Sequence, residues 1–83
     1  MNTKDDKDRG LYEKFRVRRT DGRSNKGQKH YNCEYFVLDL NHDPMAVFAL
    51  REYARQAHLM GFAKLADDLD KKVFQLINRS YNR

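Results

Sequence analysis

Eighty-three residues, a formal net charge of +5 and a single cysteine admit one small domain and exclude a disulfide-stapled scaffold. A chain of this size buries only about 60% of the surface its unfolded form exposes, so little core is available. The opening MNTKDDKDRG is polar and no apolar run approaches the ~20 residues of a membrane span, which predicts a soluble, cytoplasmic protein with neither signal peptide nor anchor.

Residues 1–10 lack hydrophobic periodicity and end at Gly10, so they are expected to form a disordered tail ahead of a single domain over 11–83. In LYEKFRVRRT, Leu11, Phe15 and Val17 alternate with Tyr12, Lys14, Arg16 and Arg18, the pattern of a half-buried strand with a basic outer face. A loop rich in Gly, Ser, Asn and Lys follows. EYFVLDL, nearly continuous in β-branched and aromatic residues, predicts a second strand before the turn at Asn41 to Pro44.

Asp43 before Pro44 reads as an N-cap with proline at the first helical position, so a helix is expected from Pro44. Ala46, Ala49, Leu50, Tyr53, Ala57 and Met60 supply its apolar stripe, and Gly61 is placed to end it in a left-handed conformation. Phe62, Leu65, Ala66, Leu69, Val73, Leu76 and Ile77 mark a second helix, with Asp67–Lys71 and Asp68–Lys72 as i,i+4 pairs on its outer side. Two helices joined this tightly form a hairpin. The expected fold class is therefore α+β: a two-stranded antiparallel hairpin with a long basic loop, then a two-helix hairpin (ββαα). A two-stranded sheet leaves open edges and an uncovered face, so completion by homodimerisation or higher self-association is expected.

The charge excess is confined to the first part of the chain. Before Tyr31, ten basic residues stand against five acidic ones; from Tyr31 onward seven stand against seven. A concentrated positive field attracts polyanions and raises their encounter rate.

Within TDGRSNKGQKHYNC, Gly22 and Gly27 have P-loop spacing, but Gln28 and Lys29 stand where Lys-Ser or Lys-Thr is required. The context also differs, because a P-loop leads a strand into a helix N-terminus and this loop is expected to join two strands. His30, Cys33, His42 and Asp43 make a poor metal set: the cysteine is alone, Asp43 is needed as a cap, and an extended strand would hold Cys33 and His42 roughly 30 Å apart. Cys33 with His30 lacks an orienting third residue, so nucleophilic catalysis is not expected. Neither a metal site, a cofactor nor an enzyme is indicated.

What remains is a row of cations with one aromatic and an adjoining Lys/Arg loop, a composition suited to phosphate contacts with base stacking. The candidate binding residues are Tyr12, Lys14, Arg16, Arg18, Arg23, Lys26, Lys29 and His30. The expected partner is a nucleic acid or a phosphorylated nucleotide. The alternative is an acidic host protein that the chain inhibits through the same basic face or through the sheet edge.

YEKFRVRRTDG and GQKHYNCEYFVLDLNHDPMAVFALREYA, spanning Tyr12 to Ala54, resemble a group of small proteins encoded by bacteriophages and prophages. Their general pattern is K-F-x-V-x-R-x-D-G, then G-x-K-H-x-x-C-x-Y-F-V-L-D-L-x-H-D-P, then an alanine-rich helix. The resemblance implies a mobile-element setting, in which small oligomeric proteins serve as accessory or counter-defence factors. It does not select a mechanism.

Overall fold

The computed structural model describes residues 10–81, with side chains described through Arg79. The expected tail over 1–10 therefore lies, except for Gly10, outside the described residues. Two compact units divide the chain, Met1–Val37 and Leu38–Arg83. Among the described residues the regular structure is all-α: helix α1, Ala46–Leu59, helix α2, Ala63–Tyr81, and no strand. No helix among them is long and apolar enough to cross a membrane.

The expected α+β fold with its strand hairpin is thus overturned. Residues 12–19 and 33–39 carry no ladder pairing. Alternation decides which side chains would share a face, but pairing persists only when that face is buried. Here it is not: Leu11 is 86% exposed and Phe36 74% exposed. Without buried apolar area, little offsets the entropy lost in ordering two strands.

In the second unit local signals dominate. Asp39 accepts the backbone N–H of Asn41 at 3.0 Å and of His42 at 3.2 Å, with its other carboxylate oxygen 3.1 Å from His42 Nδ1. These bonds, the Asn41 N–H first among them, lower the Asp39 pKa. Asp43 Oδ1 then accepts the Met45 N–H at 2.9 Å and its carbonyl accepts the Ala46 N–H at 3.1 Å. Pro44 and Met45 accordingly form a tight turn, and α1 starts two residues later than the expected Pro44.

The joint between the helices is a Schellman motif. The Phe62 N–H donates to Ala57 O at 2.9 Å and the Gly61 N–H to His58 O at 3.2 Å, with Gly61 at φ 84°. Ala66 N–H donates back to Phe62 O at 2.8 Å and begins α2. The chain therefore reverses within Met60–Phe62, and α1 and α2 pack as a hairpin.

The seam of this hairpin is built from small side chains. Ala46, Ala54, Ala57, Ala66 and Val73 are its buried residues, with Leu50, Leu69 and Leu76 half-buried. Of the expected α1 stripe, Ala49, Tyr53 and Met60 are exposed, whereas Ala54 is buried; the contact face is rotated toward the alanines. Alanines let two helix axes approach closely, and the larger apolar groups then stand outside the contact.

Polar bonds complete the unit. His58 Nε2 lies 2.8 Å from Asp70 Oδ2, joining α1 to α2, and Arg79 Nη1 donates to Asn41 Oδ1 at 2.6 Å, joining the end of α2 to the turn before α1. Glu52 receives Arg55 at 3.0 and 2.6 Å and Gln56 Nε2 at 2.8 Å. The expected Asp67–Lys71 and Asp68–Lys72 pairs do not form among the described residues; Lys64 pairs with Asp68 at 3.3 Å instead.

Candidate anion-binding segment

Residues 20–32 form a succession of turns. The N–H groups of Asn25, Gln28, Tyr31 and Cys33 donate to the carbonyls of Gly22, Asn25, Gln28 and His30, each three residues back, at 3.0 to 3.4 Å. One longer closure, His30 N–H to Arg23 O at 2.9 Å, cinches the loop. Gly22 and Gly27 adopt φ 79° and 87°, in the left-handed region where a side chain is strained. The glycine spacing thus serves turns, and no helix follows Gly27 to aim N–H groups at a phosphate.

The start of the loop is organised by Arg19 and Asp21. Arg19 Nε donates to Asp21 Oδ1 at 3.0 Å and Oδ2 at 3.2 Å, and Nη2 donates to Oδ2 at 2.6 Å. Asp21 Oδ1 also accepts the Arg23 N–H at 2.9 Å, and the Arg19 N–H donates to Ser24 Oγ at 3.0 Å. The Arg19 guanidinium, seconded by the Arg23 N–H, holds the Asp21 carboxyl well below the usual carboxylate range. Hydrogen bonding to Asp21 in turn raises the Arg19 pKa, with smaller contributions from Tyr35 and Cys33.

The expected binding residues are distributed around this frame. Lys14 Nζ stands 5.2 Å from the Tyr12 ring centroid, a cation–π contact that brings these two together. Arg16 and Arg18 are exposed, though on unpaired main chain and not on the expected strand face. Arg23, Lys26 and Lys29 are exposed on the turns. His30 is half-buried, with Nδ1 3.8 Å from Cys33 Sγ; its own N–H closes the loop, so its defined part is structural.

Arg16, Arg18, Arg23, Lys26 and Lys29 have no carboxylate partner among the described residues. In this they differ from Arg19, which the sequence reading counted only as charge and which is committed to Asp21. The signal for that commitment was present in R-x-D-G: an aspartate before glycine is a turn former whose carboxylate can accept an N–H two residues on, and an arginine two residues back can reach it.

Compared with protein-family models, curated proteins and solved structures, the chain matches none of them.

Proposed function

We propose that this protein is a non-enzymatic accessory factor that binds nucleic acid through the basic segment from Tyr12 to His30. The observation that carries the reading is the set of five exposed cations, Arg16, Arg18, Arg23, Lys26 and Lys29, which have no carboxylate partner among the described residues and are held on or beside a hydrogen-bonded loop. Its described residues 10–37 include seven basic and three acidic side chains, and one of those three is consumed by Arg19. Exposed guanidinium and ammonium groups displace counterions from a phosphate chain, which supplies affinity without a built pocket. The Tyr12 ring, already under Lys14, adds a face on which a base can stack. A phage-type, cytoplasmic setting and self-association belong to the same proposal.

The test is fluorescence anisotropy with labelled single- and double-stranded DNA and RNA at increasing salt. If all five cations meet phosphates of a duplex, affinity falls roughly 500-fold between about 50 and 200 mM salt. Arg16→Ala with Arg18→Ala should weaken binding and lower the salt slope by about 1.8. Competition by a mononucleotide would assign a phosphorylated nucleotide; absence of binding to any of these ligands would overturn the reading.

A second reading is favoured by the apolar groups among these cations. Leu11, Phe15, Val17 and Phe36 are exposed, and a nucleic-acid backbone offers them little. An acidic protein surface with apolar patches would engage both kinds of group, as an inhibited host factor could.

A further inference from the structure

We propose that His58, Asp67 and Asp70 form a zinc site at the closed end of the helical hairpin. The three residues come from both helices, His58 from the last turns of α1 and the aspartates from the first half of α2. Their donor atoms all lie within 4.8 Å of one another, with His58 Nε2 and Asp70 Oδ2 2.8 Å apart. Asp67 and Asp70 are i,i+3 on one helix face, so both carboxylates are directed to the side that His58 meets.

The donor chemistry selects the cation. One imidazole nitrogen and two carboxylate oxygens suit a borderline divalent ion; calcium and magnesium prefer oxygen alone. Three protein ligands with an open fourth position for water is a recurrent zinc arrangement. A tetrahedral ion about 2.1 Å from each ligand spaces its donors about 3.4 Å apart, between the observed His58–Asp70 distance and the 4.8 Å limit. Rotamer changes of exposed side chains are enough to close the set.

The charge pattern around the cluster supports a cation. Lys64 neutralises Asp68 at 3.3 Å, whereas Asp67 has no partner among the described residues and Lys71, one turn later, does not pair with it. Asp70 is met by His58 alone, so two carboxylates one turn apart share a single imidazole, a repulsion that a bound divalent ion reverses. The Schellman turn at Gly61 sets where α2 returns along α1, so the geometry exists before the ion arrives.

Isothermal titration of the full chain with zinc chloride, paired with cobalt absorption spectra, tests the site. Binding of one ion per chain is expected, weakened at least about tenfold by His58→Gln and by Asp67→Asn. Asp67 makes no contact that folding requires, so D67N keeps the test valid if H58Q disturbs the hairpin; circular dichroism checks both. Cys33→Ser should leave affinity unchanged, and cobalt should give no thiolate charge-transfer band. Absence of binding at millimolar zinc, binding that survives H58Q and D67N, or binding lost in C33S would overturn the proposal.

Discussion

Arg19 and Asp21 clasp across a single intervening residue, Nη2 to Oδ2 at 2.6 Å, and the same carboxylate takes the Arg23 N–H at 2.9 Å. A charged fork and a turn bond thus meet on one side chain, which makes Asp21 the organiser of the loop that presents Arg23, Lys26 and Lys29.

Asp21→Asn should loosen this loop while leaving the helices intact. The bidentate bond and the carboxylate's negative charge are both lost. Amide hydrogen exchange at His30, whose N–H closes the loop onto Arg23 O, is expected to speed up, with unchanged helical circular dichroism. Unaltered exchange at His30 would show that the turns stand without Asp21.

Glu52 offers a test of sign as well as size. Hydrogen bonds from Arg55, then Gln56, lower its pKa from the ordinary 4.5 to about 2. Because the folded value lies below the unfolded one, this contribution is complete above pH about 4.5 and disappears as pH falls through about 2. Carboxyl carbon NMR should place the Glu52 midpoint near the lower value, and Arg55→Ala should move it upward. A midpoint at the ordinary value in the native chain would refute the pairing.

Gly61→Ala should destabilise the hairpin by about 1–2 kcal/mol, the cost of a left-handed backbone for a residue with a Cβ. Beyond the adjoining Met60 and Phe62, no atom of the described residues lies within 4 Å of the added methyl group, so the cost is conformational and not a clash with packed neighbours. Urea unfolding of the two chains measures it; an unchanged midpoint would mean the turn relaxes to another geometry.

Ala66→Leu should act by sterics instead. Ala66 is fully buried in the α1–α2 seam, and a larger side chain must push the helices apart or turn off its rotamer, at about 1–3 kcal/mol. The same change at the exposed Ala63 should be nearly neutral. Thermal unfolding of both variants separates seam packing from helix propensity.

The parts legible in the sequence are those settled by near neighbours. Asp43 with Pro44 marks the turn that leads into α1, although Met45 and not Asp43 stands at the N-cap, and Gly61 with Phe62 marks the end of α1, because turn and C-capping bonds connect residues only two to five apart. The R-x-D-G turn belongs to this group too, although the sequence reading did not draw it out. The basic excess before Tyr31 is arithmetic and independent of fold.

The strands failed for the opposite reason. LYEKFRVRRT and EYFVLDL have the right residues, but a strand needs a partner and a cover, and periodicity specifies neither. The apolar stripe of α1 was misplaced in a related way. A 3.6-residue period marks an apolar arc, yet the buried part of it lies where α2 comes closest, on Ala54 and Ala57 and not on Tyr53 or Met60.

Sequence alone therefore determined the charge asymmetry and the joint of the helical hairpin at Gly61, since composition and short-range hydrogen bonds need no knowledge of the rest of the chain. Tertiary structure decided which face of each helix is buried, that the segments flanking the basic loop stay unpaired, and that His58 meets Asp67 and Asp70 from the opposite helix. Those outcomes depend on what packs against what, and contacts between residues 9 and 12 positions apart are set by the return of the chain at Gly61, not by any local pattern.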